Sequence, residues 1–357
     1  MGRIHFRTLL LSCLRGPRPE QPQPPPPQLP PFLQLPVDIV LYLSQQHLTP
    51  SSASALSLTC RALFALVFPA ARSGLADNKE QTQELQLLLE KDLGHGWWYC
   101  HGCSLLHPIS SRGPGGGADS LLSASSGYDS ARRHHNKRWF AGSSFGLDYQ
   151  SVRLAMNRHF WGPPNGLPLE AFNIETKPYS SVPVVLPWKE TWSARILQDE
   201  LFLCATRTLS GRGWADQQLR TAMDGEWRQI CCHIATSRRG LCSIDILPRP
   251  SPARGEFFVP CRELVDSCRG CLTDYAVTVE PRLEAAHDQN WGEQPTAYWF
   301  IAITSYYRLG SGRSHLDPKW DAFGGGGWQA KRDMVAYPRG AIRAVWESED
   351  PTPSSTY

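Results

Sequence analysis

Two pairs of cysteines, each pair separated by two residues, are the clearest chemical feature of the chain: Cys100 with Cys103, and Cys268 with Cys271. Thiols at this spacing can lie side by side on a tight turn, which is the geometry that a tetrahedral zinc ion requires. Because the pairs are far apart in sequence, one shared ion would connect the two ends of the C-terminal region. The predicted zinc ligands are therefore these four cysteines.

Other cysteines and histidines offer alternative ligands. His107 follows the first pair, Cys231 and His233 are alternative partners for either pair, and Cys242 and Cys261 are weaker candidates. Reduced thiols that pack as small apolar groups are the alternative to any metal site.

The remaining cysteines bear on the compartment. There are 11 cysteines in 357 residues, an odd number, whereas secreted disulfide frameworks are typically short and even-numbered. Cys13, Cys60 and Cys204 stand alone, and we expect them to pack as apolar side chains. A reducing compartment, the cytoplasm or the nucleus, is favoured. The N-terminal stretch "MGRIHFRTLLLSCLRGPRP" contains arginine and no acidic residue, so a targeting segment remains an alternative for it.

Patterns of nucleophilic catalysis have little support. The stretch "GSSFG" matches G-x-S-x-G, but that motif presents its serine between an apolar strand and a helix, and "RRHHNKRWFA" precedes it here. Ser144 is therefore not expected to be a nucleophile. "GGGG", residues 324–327, lacks the Lys-Ser/Thr of a phosphate-binding loop. We expect a protein that is not an enzyme.

Composition predicts globular domains without a general attraction to polyanions. The chain is 41% hydrophobic and 19% charged, with a formal net charge of +3. So small a charge does not predict binding to nucleic acid or to a membrane surface. The basic run "RRHHNKR" is interpreted as a solvated segment. No apolar run reaches the roughly 18 residues that a membrane-spanning helix needs.

Periodicity divides the chain into a helical part and a mixed part. Thr49 and Pro50 predict the N-cap and first position of a helix, and Pro69 is expected to end the apolar run that follows. A further helix is predicted over 78–93, with a stripe of Leu85, Leu88 and Leu89. "LDYQSVRLAMNRHF" has helical spacing. "ELFLCATRTL", "DYAVTVE", "AYWFIAITSYY" and "AIRAVW" have the period of strands.

The predicted fold class is α+β, with a short N-terminal helical module and a β-rich C-terminal region. Residues 1–30 form a Pro-rich lead without fixed structure, 31–75 the helical module and 78–346 the mixed region. Gly/Ser-rich residues 110–130 and the tail 347–357 are predicted to be disordered.

The helical module is apolar on nearly all sides. In "LPVDIVLYLSQQHLTPSSASALSLTCRALFALVF" only Asp38 and Arg61 carry full charges. Helices of this kind must be buried on more than one side, and a large apolar patch on a protein surface marks an interface. One side can pack within the chain, while the other predicts a partner protein.

This segment resembles an F-box, a three-helix module that docks on the adaptor subunit of cullin–RING (SCF) ubiquitin ligases. The resemblance rests on the Leu-Pro start, the early acidic residue and "LSLTCRALF". It implies that Leu35 and Pro36 insert at the adaptor. It further implies that the apolar positions of the module are Ile39, Leu43, Leu56, Leu58 and Leu63.

The remainder resembles a group of fungal F-box proteins through "EKDLGHGWWYCHGCSLLHP", "RLAMNRHFWGPPNGLPL" and "SCRGCLTDYAVTV". The Pro-rich lead, the Gly/Ser loop and the additional cysteine in "ICCHI" depart from that group. The resemblance implies a substrate-receptor subunit of an SCF-type ubiquitin ligase. Its module would bind the adaptor, and its C-terminal region would bind an unknown target protein. The alternative is a zinc-stabilised interaction protein unconnected to ubiquitin.

Overall fold

The structure of the protein is a computed structural model. The chain forms two compact units, a helical unit (Met1–Gln81) and a body (Thr82–Tyr357). The structure describes residues 31–76, 78–94, 96–108, 137–139, 146–163, 165–176, 186–225, 229–231, 233–236, 246–248, 256–268, 270–283, 297–323 and 337–348. The predicted lead, the 110–130 insertion and tail residues 349–357 lie outside these ranges.

The helical unit contains a 3-10 turn, Pro31–Gln34, followed by three helices: α1 (Val37–Gln46), α2 (Pro50–Ser57) and α3 (Arg61–Ala76). The predicted start of α2 is confirmed, because the Thr49 side chain accepts a hydrogen bond from the Ser52 backbone N–H and Pro50 is the first residue of the helix. The expectation that Pro69 ends the apolar run is wrong, since α3 continues through it to Ala76.

The reason that α3 continues is its packing. Leu63, Val67 and Ala71, spaced four residues apart, are all buried, so tertiary contacts hold the turns on both sides of the exposed Pro69. The core of the unit is small: Val40, Ala53, Leu63, Val67 and Ala71. Buried serines in α2 and the absence of a side chain at Gly74, where a Cβ would lie 2.8 Å from Pro50, allow the helices to approach closely.

The body begins with the predicted helix, α4 (Lys79–Leu93), whose first three residues still belong to the helical unit. Its cap is confirmed, because Asn78 Oδ1 accepts the Gln81 backbone N–H at 3.0 Å. Leu85 is buried, as expected from the leucine stripe, and Glu90 is buried as well. The predicted helix at "LDYQSVRLAMNRHF" is present as α5 (Tyr149–Trp161), capped by Asp148.

A six-stranded antiparallel sheet forms the centre of the body. Its strands are β5 (Ile174–Thr176), β6 (Lys189–Leu197), β7 (Glu200–Ser210), β10 (Cys261–Ser267), β11 (Thr273–Leu283) and β12 (Ala297–Gly310), in the order β10-β11-β12-β7-β6-β5. Ile301, Ile303 and Tyr307 alternate along one face of β12 and are completely buried. The predicted α+β class is confirmed.

Three hairpins, three short helices and a 3-10 helix (Leu169–Phe172) complete the regular structure in the described part of the body. The hairpins are β1 (Trp97–Cys100) with β2 (Leu105–Pro108), β3 (Lys137–Trp139) with β4 (Gly146–Asp148), and β8 (Gln229–Cys231) with β9 (Ile234–Ala235). The helices are α6 (Asp216–Gly225), α7 (Pro318–Asp321) and α8 (Ala341–Glu347). Among the described residues, no helix combines the length and apolar character needed to cross a bilayer.

The prediction of a strand at "AIRAVW" is wrong, because these residues form α8. Its first turn docks on a carboxylate of the sheet: Asp274 Oδ2 accepts the backbone N–H groups of Ile342 (2.7 Å) and Arg343 (2.9 Å). Gly340, just before the helix, has a φ of +77°. This tertiary cap, which the local sequence pattern does not contain, stabilises a helix where alternation favoured a strand.

Candidate metal centre

Four potential metal ligands of the body converge at one end of the sheet: Cys231, His233, Cys268 and Cys271, called here the four-residue cluster. Their ligand atoms all lie within 4.8 Å of one another. A tetrahedral zinc ion with Zn–S bonds of about 2.3 Å places its sulfur ligands about 3.8 Å apart. The four donors therefore surround a volume that a metal ion of this size fits with small side-chain movements.

Two separate chain segments bring these donors together. Cys231 ends β8 and His233 precedes β9, so the first two donors lie on a tight hairpin. Cys268 and Cys271 lie on the turn that joins β10 to β11. Each segment supplies two donors at close spacing, as structural zinc sites commonly do.

Backbone hydrogen bonds fix both segments to the sheet. The Tyr307 hydroxyl donates to the carbonyl of Ile230 at 2.7 Å, which ties the hairpin to β12. The Cys268 N–H donates to Thr273 O at 2.8 Å, and the Thr273 N–H donates to Cys271 O at 2.9 Å. Regular structure thus positions the cluster at the end of the sheet where β10 turns into β11.

Residues around the sulfurs complete the site. The Gly270 N–H donates to Cys268 Sγ at 3.3 Å, and the Thr273 hydroxyl lies 3.2 Å from Cys271 Sγ. A Cβ on Gly270 would lie 2.8 to 2.9 Å from the ring of His233. Glycine is therefore required for the histidine to reach the cysteines, and such supporting contacts orient metal ligands.

Burial and hydrogen bonding shift the pKa values of the cysteine thiols in the cluster in opposite directions. Burial raises the pKa of the completely buried Cys231 thiol to about 12. Hydrogen bonds from Cys231 and Cys271 hold the pKa of Cys268 well below its usual range. A metal ion binds thiolates, so binding would release the protons that burial otherwise retains.

A second group of ligands lies on the β1–β2 hairpin: Cys100, Cys103 and His107, called here the hairpin cluster. Cys103 Sγ and His107 Nε2 are 2.8 Å apart. Cys100 is buried with Leu154 and Leu167, and burial raises the pKa of its thiol. Within the described residues this group supplies three donors, one fewer than the four-residue cluster.

The set predicted from sequence is therefore divided between two places. Cys268 and Cys271 lie with the alternative partners Cys231 and His233, whereas Cys100 and Cys103 lie with His107. The four predicted cysteines do not share one site. The signal for the actual arrangement was present in the short Cys231-x-His233 spacing, but only the fold shows which pair it joins.

The other cysteines follow the apolar expectation where they are described. Cys204 is buried, which raises the pKa of its thiol to about 11, and Cys60 packs on the core of the helical unit. Cys261 directs its thiol toward the Val277 carbonyl at 3.7 Å. Cys13, Cys242, Ser144 and the glycine run 324–327 lie outside the described residues.

The apolar residues predicted to meet an adaptor differ in exposure. Leu35, Pro36, Ile39 and Leu58 are exposed, with Leu58 46% exposed and Ile39 45% exposed. Leu43 and Leu56 are half-buried. Leu63, by contrast, is 4% exposed and belongs to the core of the unit, so it is not available to a partner in this structure.

Comparisons with protein-family models, with curated proteins and with solved structures gave no match to this chain.

Proposed function

We propose that the protein is the substrate-receptor subunit of an SCF-type ubiquitin ligase and acts in the cytoplasm or nucleus. The helical unit binds the adaptor subunit, and the body, stabilised by zinc, binds a target protein. In this role the chain supplies proximity between target and ligase, and it performs no covalent chemistry of its own.

The observation that carries the proposal is the apolar exterior of the helical unit. Ile39 and Tyr42 lie on the face of α1 opposite the buried Val40 and Ser44, and they are 45% and 57% exposed. Other large apolar side chains of the unit are also exposed: Leu35, Val37, Leu48, Leu58 and Phe64. A unit with so small a core and so many exposed apolar groups has the character of a protein-binding surface.

The four-residue cluster supports zinc as the body's metal. Three thiols and one imidazole are the ligands of Cys₃His structural zinc sites, and soft thiolate ligands disfavour magnesium and calcium. With all four positions taken by protein, no open position remains for a substrate or for water. Zinc would therefore connect the β8–β9 hairpin to the β10–β11 turn and stabilise the folded body.

A zinc-stabilised interaction protein unconnected to ubiquitin is the alternative. It is favoured by the location of both Cys/His clusters, which belong to the body alone. In that case the helical unit would bind a different partner or none. A measurement of adaptor binding distinguishes the substrate receptor from the interaction protein unconnected to ubiquitin.

Substitution of the exposed apolar face tests the proposal. The full chain with Leu35→Asp and Ile39→Asp is co-expressed with the adaptor subunit and purified by a tag on the chain. Burying a Leu or Ile side chain is worth about 1.5–3 kcal/mol, so losing both and introducing two charges should weaken binding by at least about a hundredfold. We expect the adaptor to be absent from the purified complex.

A variant with Gln45→Asp and Ser73→Asp is the matched control, because it adds the same two charges at exposed polar positions of α1 and α3. It should retain the adaptor. Both variants should melt at the wild-type temperature, since the substituted side chains lie outside the core. Equal recovery of adaptor with both variants, or none with the wild-type chain, would rule out the proposal.

A further inference from the structure

The hairpin cluster is held in place by contacts that do not involve the four-residue cluster. The Tyr99 N–H donates to Glu90 Oε1 at 3.2 Å, which fixes β1 to α4. Cys100 is 1% exposed and packs with Leu154 and Leu167. These contacts orient the first sulfur donor from α4 and α5, and none of them comes from the β10–β11 turn.

The other two donors are positioned by the hairpin itself. His107 is the cross-strand partner of Trp98, and the two rings stack with centroids 5.3 Å apart. The turn closes when the Ser104 N–H donates to Cys100 O at 2.8 Å, with Ser104 in the left-handed region at a φ of +56°. This turn brings Cys103 Sγ to 2.8 Å from His107 Nε2.

Ligands and fold both point to a metal ion. Two thiols and an imidazole nitrogen converge within 4.8 Å, a ligand set that suits zinc and disfavours magnesium and calcium. Strands of four residues make a hairpin that is marginally stable by itself. A strained serine at its turn adds to that cost. An ion that joined both strands would offset it.

We propose that Cys100, Cys103 and His107 bind a second zinc ion, independent of the one at the four-residue cluster. Zn²⁺ binds two thiolates and the neutral imidazole, and the two thiol protons pass to solvent. Three protein ligands leave one coordination position for water, as in zinc sites that keep an exchangeable ligand. The proposal does not depend on adaptor binding or on the SCF assignment.

Metal analysis of the full chain tests the count. The wild-type chain, purified without chelators and dialysed against metal-free buffer, should contain two zinc ions by mass spectrometry. The variant Cys103→Ser/His107→Ala should contain one, and Cys261→Ser, in the body but in neither cluster, should contain two. The loss of one zinc ion between the wild-type chain and the double variant supports the proposal, whatever the occupancy of the four-residue cluster, and equal zinc counts in these two proteins overturn it.

A ligand exchange gives a second measurement if the double variant does not fold. His107→Cys retains three donors and replaces nitrogen by sulfur. With Co²⁺ as the probe metal, this variant should bind two ions, with stronger sulfur-to-cobalt charge-transfer absorption than the wild-type chain. A spectrum identical to that of the wild-type chain would show that His107 is not a ligand and would overturn the proposal.

Discussion

The helical unit and the body place apolar and charged groups in opposite ways. The helical unit has a core of five small or medium apolar residues, while larger ones such as Tyr42 and Phe64 are exposed. The body has an extensive apolar core, and yet it buries complete ion pairs: Arg153 with Glu90, and Arg207 with Glu190.

Each arrangement carries a free-energy cost, and the two units offset that cost in different ways. Exposed apolar surface is unfavourable until a partner covers it, which fits the binding role proposed for the helical unit. Buried charge is unfavourable unless it is paired within the fold, as it is in the two ion pairs of the body. The body should therefore respond to the loss of internal partners, and the helical unit to the loss of external ones.

The largest effect should follow metal removal from the body. Structural zinc contributes about 10–16 kcal/mol in zinc-finger peptides, which is comparable to the about 5–15 kcal/mol that stabilises a typical domain. We expect a chelator to lower the melting temperature of the full chain sharply. Cys271→Ser should do the same without chelator, because it removes a buried ligand of the four-residue cluster.

Cys261→Ser is the matched control for this prediction, because it changes a cysteine of the body outside both clusters. It should melt close to the wild-type temperature and should remain sensitive to chelator. If wild-type protein that is free of metal melts at the same temperature with and without chelator, the body is stable without zinc, and its contrast with the helical unit rests on ion pairs alone.

A smaller effect is expected from the buried pair of Glu90 and Arg153. Arg153 Nε donates to both carboxylate oxygens of Glu90, at 3.0 and 2.9 Å, and both side chains are nearly inaccessible to solvent. Glu90→Ala leaves the guanidinium buried without its counter-charge, which costs about 3–5 kcal/mol. The midpoint of urea unfolding of the body should fall accordingly.

The double variant Glu90→Met/Arg153→Met tests whether the charge is responsible. This double variant removes both charges and fills the space with apolar atoms. Its loss of unfolding free energy should therefore be smaller than the summed losses of Glu90→Met and Arg153→Met. Additive losses would instead show that packing, and not the unpaired charge, determines the effect, which would weaken the contrast between the two units.

Much of the fold was predictable where local chemistry decides it. The Thr49–Pro50 start, the Asn78 cap and the strands β7, β11 and β12 follow from side chains and backbone preferences within a few residues. Errors occurred where distant residues decide. Asp274 caps α8 from 68 residues away, where the sequence pattern predicted a strand.

The candidate metal site shows the same limit. The spacing of Cys268 and Cys271 predicted a pair of ligands, and the structure retains that pair in a cluster. Sequence could not decide which second pair completes it, because that depends on β8 and β9 folding against β12 through the Tyr307 hydroxyl. Residue type and local spacing thus identify the donors, while the topology of the sheet determines their grouping.

The smallest expected effect is a loss of stability of the body at acidic pH when Glu200 becomes protonated. Burial disfavours its charge, but hydrogen bonds from Arg308 and Lys319 outweigh the effect of burial and hold the pKa of Glu200 below its ordinary value of 4.5. A lowered pKa means that the carboxylate stabilises the fold above about pH 4.5, and that this contribution is lost as the pH falls through the folded-state value. Urea unfolding of Glu200→Gln should therefore show lower stability than wild type at pH 7, and the gap should narrow toward pH 3.5.

Glu280→Gln, which removes an ion pair with the exposed Arg282, is the control and should show a smaller gap at pH 7. A gap between Glu200→Gln and wild type that stays constant from pH 7 to pH 3.5 would show that the Glu200 charge does not contribute to the acid sensitivity of the body.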